Sequence, residues 1–158
     1  MKKYELTKET KVIGGKTLFR IRALRSFGDI KAGDLGGFIE NERNLSHEGN
    51  AWVSGDARVE DNARVDGDAW VDGNAQVSGD GLINSNNDYL CEKGLGSHNR
   101  SASFFKCKDG HIHVLCGCFD GNLDEFENKV KKEHGNSKYA KEYLGFIEVV
   151  KTHFEVCQ

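Results

Sequence analysis

Two tryptophans and two arginines recur at regular spacing in the middle of the chain and are the first residues that could bind a ligand. Trp52 and Trp70 lie eighteen residues apart, with Arg58 and Arg64 between them at six-residue intervals. Indole rings stack on planar groups, and guanidinium groups pair bidentately with phosphates and carboxylates. The spacing predicts a site with stacking tryptophans and anion-pairing arginines. The same tryptophans would also suit a subunit interface, and the arginines could pair with nearby Asp and Glu instead.

A second candidate site is a set of polar and basic side chains around a predicted hairpin in the last third of the chain. It comprises His98, Asn99, Arg100, Ser101, Lys106, Lys108, His111 and His113. These side chains could form an anion-binding patch, or they could simply be the solvated face of the hairpin.

Cysteines and histidines in the same region raise the question of a metal site. Cys107, Cys116 and Cys118 are close to His111 and His113, but no C-x2-C knuckle is present. In the predicted hairpin register the histidines point away from Cys107 and Cys116. The sequence therefore predicts buried free thiols, with no metal and no cofactor. A Cys-His nucleophile pair is weakened by the same geometry.

The tryptophans and arginines sit in a six-residue repeat. Residues 51–86 read in sixes as AWVSGD, ARVEDN, ARVDGD, AWVDGN, AQVSGD and GLINSN. Side chains alternate along a strand, so the first and third residues point inward while the second points outward, which turns both tryptophans toward solvent. Gly, Asp and Asn then form tight corners. One strand and one corner every six residues close a triangular coil every eighteen residues. The pattern therefore places Trp52 over Trp70, Arg58 over Gln76 and Arg64 next to Leu82.

This pattern resembles the hexapeptide repeat of left-handed parallel β-helices, the fold of many acyltransferases. The resemblance covers about a quarter of the chain and implies the fold more strongly than an enzymatic activity. In β-helix acyltransferases a histidine acts as general base. His47, at an inward position of a degenerate first repeat (NLSHEGN, 44–50), could take that role, or could be a histidine of the terminal coil with satisfied hydrogen bonds.

The flanking segments predict a fold class that is mainly β, with about two coils of β-helix in residues 45–86. Residues 1–44 predict a β-rich cap with a hairpin at Gly14-Gly15 and an irregular glycine-rich entry at residues 33–39. Residues 87–158 predict a small α+β unit of ββαα order after a linker or cap strand at 84–96. Its hairpin turns at Asp109-Gly110, which places Cys107 opposite Ile112.

Capping signals predict two helices at the end of the chain. Asn122 or Asp120 could cap a helix that runs to His134, with Gly135 at its C-terminus, and Ser137 starts a second helix. The apolar stripe of the second helix is expected to contain Tyr139, Tyr143, Ile147, Val150 and Phe154.

Composition limits the functional classes. The net charge is −3, and no segment is basic enough to predict binding to a nucleic-acid polymer. We expect no signal peptide and no membrane span. Five cysteines, an odd number, indicate a reducing cytosol.

The N-terminal segment followed by A-x-V-x-G-D repeats resembles small bacteriophage and prophage hexapeptide-repeat proteins. This resemblance implies a phage protein in the cytoplasm of a bacterial host. We expect a non-catalytic protein that sequesters a small anionic, nucleotide-like ligand, such as a host immune signal. A homotrimer packed along flat sides is the first expectation for its assembly. The alternatives are a CoA-dependent acyltransferase with His47 or His98 as base, and a structural or assembly protein.

Overall fold

The computed structural model describes residues 2–98 and 100–156, so Asn99 of the predicted polar run lies outside the described residues. The chain divides into two compact units. Unit 1 is Met1–Asn86 and unit 2 is Asn87–Gln158. A 3-10 turn covers Asn86–Asp88.

Unit 1 begins with three strands and continues with six very short ones. The strands are β1 (Tyr4–Ile13), β2 (Lys16–Ala23), β3 (Leu35–Ile39), β4 (Trp52–Val53), β5 (Arg58–Val59), β6 (Arg64–Val65), β7 (Trp70–Val71), β8 (Gln76–Val77) and β9 (Leu82–Ile83), with a 3-10 turn at Glu42–Asn44. Antiparallel β1 and β2 are joined by Gly14-Gly15, and Ile13 faces Lys16 across the turn. Both glycines have positive φ, 58° and 80°, as a two-residue type I′ hairpin requires. The predicted hairpin is confirmed.

The repeats pair with one another at the expected spacing. Parallel bridges join residues eighteen apart: Trp52 with Trp70, Arg58 with Gln76 and Arg64 with Leu82. The Ala and Val or Ile positions are buried, as predicted from the inward alternation, and comprise Ala51, Val53, Ala57, Val59, Ala63, Val65, Ala69, Val71, Ala75, Val77 and Ile83. Small side chains leave a narrow core that brings the turns close together.

The predicted fold class, a short left-handed parallel β-helix of about two coils with an N-terminal β cap, is nevertheless wrong. Among the described residues the strands form several small sheets, and none closes into a solenoid. The largest sheet has the order β1-β2-β3-β5-β8 and is mixed, with antiparallel pairs at β1–β2–β3 and parallel pairs at β3–β5–β8. The N-terminal strands therefore extend a sheet side by side with the repeats.

The glycine-rich run predicted as an irregular entry is the strand that makes this extension possible. Phe38 and Ile39 of β3 pair in parallel with Arg58 and Val59. A Cβ on Gly36 would lie 2.5 Å from the Val53 carbonyl oxygen, and one on Gly37 would lie 2.6 Å from that of Ala57. Only glycine permits this approach, so the run is a requirement for joining β3 to the repeats.

Unit 2 is a four-stranded antiparallel sheet followed by two helices. Its elements are β10 (Tyr89–Leu95), β11 (Arg100–Lys106), β12 (Ile112–Cys116), β13 (Phe119–Asn122), α1 (Leu123–His134) and α2 (Lys138–His153). The predicted ββαα order is wrong because two further strands flank the hairpin: β10, which lies in the segment predicted as a linker or cap strand, and β13, which was not predicted. Gly94 (φ 93°) interrupts the regular alternation in β10, and β13 is only four residues long, so neither has a strong strand pattern.

The helix predictions are confirmed. The Asn122 side chain accepts the Glu125 N–H in a capping box, α1 ends at Gly135, and Ser137 caps α2. Tyr143, Ile147 and Val150 are buried, whereas Tyr139 and Phe154 are half-buried. None of the helices in the described residues is long and apolar enough to cross a membrane.

The β11–β12 hairpin differs from its prediction by one residue. The Cys107 N–H donates to the His111 carbonyl oxygen, and the Gly110 N–H donates to the Cys107 carbonyl oxygen, each over 2.9 Å. The loop therefore contains three residues, Lys108 to Gly110, with Gly110 at φ 90°. Lys106 now faces Ile112 and Phe105 faces His113. A one-residue slip moves the side chains of one strand to the opposite face of a sheet. Phe105 and Cys107 therefore share the face of the two histidines, which corrects the prediction, whereas Cys116 lies on the opposite face from them, as predicted.

Candidate functional sites in unit 2

Trp52 cannot form the predicted outward ladder because it is a core residue. Its side chain is 1% exposed and packs edge-on against Phe27 (ring centroids 5.3 Å apart) and Tyr4 (6.4 Å). A Cβ on Gly36 would approach its ring to 2.7 Å. The N-terminal segment covers the side chain that the repeat pattern turns outward, and this coverage overturns the prediction.

Trp70 and the arginines of the repeats are also engaged in local contacts. Trp70 is half-buried, and its Nε1–H donates to Ser54 Oγ over 2.9 Å. Arg64 Nε lies 3.3 Å from Asp66 Oδ2, and its Nη1 donates to the Arg43 carbonyl oxygen over 3.3 Å. Arg58 is half-buried beside Gln76. Because Trp52 is buried, the two tryptophans do not form the predicted stacking platform. The predicted homotrimer stays a prediction.

His47 has structural partners at both ring nitrogens. Its Nδ1 accepts the Lys3 N–H over 3.1 Å, its Nε2 lies 3.3 Å from Glu42 Oε1, and its ring stacks on Tyr4 at 4.1 Å. An Nδ1 that accepts a backbone N–H requires the proton on Nε2 in the neutral ring. Neither nitrogen is then available as a general base toward a substrate in this arrangement.

The predicted basic patch around the hairpin is divided by the corrected register. His98 and Lys106 are exposed. Arg100 instead lines a cavity together with residues of α1 and α2. His111 and His113 group with Cys107. The patch predicted as one surface is therefore divided into a cavity residue, two histidines beside Cys107, and three exposed side chains at His98, Lys106 and Lys108.

The Arg100 cavity lies within unit 2 and has a volume of about 260 Å³. Its lining combines aromatic rings, basic side chains and thiols: Arg100, Cys116, Cys118, Phe119, Phe126, Lys129, Val130, Glu133, His134 and Tyr143. The aromatic groups are mutually packed, with Phe126 edge-on to Tyr143 at 5.8 Å and His134 stacked on Tyr143 at 5.6 Å. The packed rings give the cavity apolar walls.

Charge in the cavity is predominantly positive. Lys129 pairs with Glu133 at 3.5 Å, which offsets one charge. Within the described part of the chain Arg100 makes no ion pair, and its guanidinium lies where a Cβ on Gly117 would sit, 2.1 Å from Nη1. The lack of a side chain at Gly117 therefore provides the space that the Arg100 guanidinium occupies. An arginine without a carboxylate beside aromatic walls is suited to binding an anion.

Two potential nucleophiles of the cavity, Cys116 and Tyr143, favour their neutral forms. Burial raises the pKa of the Cys116 thiol, and it also raises the pKa of the Tyr143 hydroxyl. A neutral thiol is a poor nucleophile. The cavity is therefore better suited to binding a ligand than to attacking one.

Sequence reasoning missed Lys129 and His134. The cavity-lining residues of α1, namely Phe126, Lys129, Val130, Glu133 and His134, follow helical spacing. A stripe of mixed apolar and charged residues on one helix face could have indicated a cavity wall. Only the position of the sheet shows that this face meets Arg100.

The predicted geometry, in which the histidines point away from Cys107, is wrong. The ligand atoms of Cys107, His111 and His113 all lie within 4.8 Å of one another. Cys107 is buried, whereas the side chains of His111 and His113 are 40% and 22% exposed. The three-residue loop places Cys107 opposite His111, which the two-residue turn would not.

Comparison with known proteins adds no functional assignment: no family model matches the chain, and no curated protein matches it at a significant level.

Proposed function

We propose that this chain is a non-catalytic binding protein whose unit 2 cavity holds a small anionic ligand with one planar ring. The observation that carries the proposal is Arg100, which lies without an ion-pair partner among the described residues at a cavity walled by aromatic rings. Guanidinium pairing would hold the anionic group, and the rings would contact the planar part. The ladder of Trp52, Trp70, Arg58 and Arg64 is not part of this site.

The cavity volume limits the class of ligand. Ligand pockets commonly measure about 300–1,000 Å³, and 260 Å³ is just below this range. This favours a ligand no larger than a nucleoside monophosphate over a dinucleotide or CoA. In a phage context, the proposal is that the protein sequesters such a signal in the reducing cytoplasm of a bacterial host. None of Cys91, Cys107, Cys116 and Cys118, the cysteines among the described residues, is in a disulfide, which agrees with that compartment.

Binding to the intact chain tests the proposal. Calorimetry and native mass spectrometry would use nucleoside monophosphates, benzoate, a cyclic dinucleotide, ADP-ribose and CoA. We expect a monophosphate or an aromatic carboxylate to bind at one per chain. Arg100→Gln should weaken that binding by about 10- to 100-fold, because a hydrogen bond to a charged group contributes roughly 1.5–3 kcal/mol.

Arg58→Gln is the matched control, since it removes a half-buried arginine from the repeats. Its affinity should stay within about twofold of the wild type. The proposal is overturned if no anion binds at millimolar concentration, or if Arg58→Gln abolishes binding while Arg100→Gln does not.

A further inference from the structure

A second site lies at the tip of the β11–β12 hairpin, apart from the Arg100 cavity. The loop Lys108 to Gly110 sets Cys107 opposite His111. Alternate residues of a strand share a face, so His113 lies on the same face as His111. Ile112 and Val114 point to the opposite face, where they join the core with the helices. The hairpin thus presents one sulfur and two imidazoles on one side.

The distances between these groups match those of metal ligands. His111 Nε2 lies 3.2 Å from His113 Nδ1. A tetrahedral ion with metal–nitrogen bonds of about 2.0–2.1 Å separates two ligand nitrogens by roughly 3.3–3.4 Å. The Cys107 sulfur lies within 4.8 Å of one ring nitrogen of each histidine, and contraction by about an ångström would bring it to a bonding position.

The outer nitrogens of both rings are held by carboxylates. His111 Nδ1 contacts Asp109 Oδ1, and His113 Nε2 contacts Asp120 Oδ1. An ionised carboxylate only accepts hydrogen bonds, so each neutral ring carries its proton on the outer nitrogen. The inner nitrogens are then two acceptors facing each other at 3.2 Å. A cation bound between the two nitrogens would remove the repulsion between their lone pairs.

Carboxylates on the outer nitrogens are also the usual surroundings of metal-binding histidines. Ligating imidazoles donate their second N–H to a carboxylate or carbonyl, which fixes the tautomer and the ring orientation. Asp109 and Asp120 supply this arrangement from the loop and from β13. Phe105 adds an apolar wall, since its ring centroid lies 5.4 Å from that of His113.

The donor set selects the class of metal. One thiolate and two imidazoles suit zinc and related late first-row ions, whereas calcium and magnesium prefer oxygen ligands. Three protein ligands leave a fourth position for water or another donor. We propose that Cys107, His111 and His113 bind one divalent transition-metal ion of the zinc class, with Asp109 and Asp120 orienting the two histidines.

Cobalt titration of the reduced full-length chain tests the site directly. Co²⁺ replaces Zn²⁺ and gives a thiolate-to-metal absorption band only when a cysteine sulfur is bound. We expect this band at one Co²⁺ per chain and its loss when Zn²⁺ is added. His111→Gln should weaken binding by more than about 100-fold, and Asp120→Asn by about 10- to 100-fold, the range typical of residues that orient a ligand.

Cys118→Ser is the control for the thiol, because Cys118 is exposed in the same unit. It should keep the band, whereas Cys107→Ser should lose it. If the buried Cys107→Ser substitution prevents folding, the exposed His111→Gln substitution still decides the result. The site is overturned if the wild type gives no band, or if Cys118→Ser removes it while His111→Gln leaves it intact. Arg100→Gln should not affect the band, which separates this result from the anion site.

Discussion

The two units use the same kinds of side chain for different purposes. In unit 1, three such side chains make structural contacts. Trp52 is in the core, both ring nitrogens of His47 have partners, and the Lys3 ammonium is buried against the Ala51 carbonyl oxygen. In unit 2 an arginine, a thiol and two histidines lie at a cavity and a hairpin tip. A residue type indicates chemistry only after the segments that cover it are known.

The difference in core construction explains why unit 1 holds its aromatic residues so tightly. The repeats contribute Ala and Val, which bury little area, so the few large side chains supplied by the N-terminal strands and by Trp52 carry much of the burial. Unit 2 has several packed rings around Phe104, Phe126 and Tyr143. Loss of one ring is therefore more costly in unit 1.

Trp52→Ala measures how much a large buried ring contributes to unit 1, and it has the largest expected effect. Truncation of a buried tryptophan costs about 3–5 kcal/mol, whereas Trp70→Ala should cost about 1–2 kcal/mol because Trp70 is half-buried. Both tryptophans of the chain lie in unit 1, so the fluorescence of the remaining one follows urea unfolding of that unit. Equal losses in the two variants would contradict the burial of Trp52.

The repeat spacing predicted pair partners well, because an eighteen-residue period needs only local alternation and corner residues. It could not predict that Trp52 is covered, because the covering residues Tyr4 and Phe27 are distant in sequence and have no periodicity linking them to the repeats. For the same reason Lys129, which reaches the cavity from α1, could not be associated with Arg100.

The grouping of Cys107, His111 and His113, which we propose binds a metal, was not predicted for a smaller reason. Asp109-Gly110 is compatible with a two-residue turn and with the last two positions of a three-residue loop. Both loop lengths are common in hairpins, whereas a change of one residue moves every side chain of a strand to the other face. One residue of loop length decided whether Cys107 faces Ile112 or His111.

Lys3 allows a test of how burial of a charged group affects the stability of unit 1. Burial, with a smaller contribution from Arg25, lowers the pKa of Lys3 to about 8 from 10.5. Between these values the unfolded chain binds a proton that the folded chain does not, so stability rises with pH. We expect the free energy of unfolding of unit 1 to increase by about 1–2 kcal/mol from pH 7.5 to 9.5.

Lys3→Met should remove this increase, which tryptophan fluorescence in urea would measure at each pH. The scan ends at pH 9.5 because burial raises the pKa of Tyr4, and Tyr4 ionisation would oppose folding at higher pH. Residues 1–86 contain no cysteine, so thiols do not contribute directly to the unit 1 signal. A parallel rise in both proteins would refute the assignment to Lys3.

The smallest expected effects compare the two hairpin turns. Gly15 and Gly110 have φ of 80° and 90°, and no heavy atom lies within 4 Å of a Cβ built on either. Alanine at each position should therefore cost only backbone strain, about 1 kcal/mol. Tryptophan fluorescence reports Gly15→Ala in unit 1, and helical circular dichroism reports Gly110→Ala because α1 and α2 belong to unit 2.

The two substitutions should differ in their consequences despite their similar cost. Gly15→Ala strains a turn with no candidate ligand beside it. Gly110→Ala strains the loop that sets Cys107 opposite His111, so any slip toward another register separates the sulfur from the imidazoles. We expect Gly110→Ala to weaken the cobalt band more than its loss of stability explains, while Gly15→Ala leaves the band unchanged. Equal cobalt affinity in both variants would mean that the register withstands strain at Gly110 and that loop length alone fixes it.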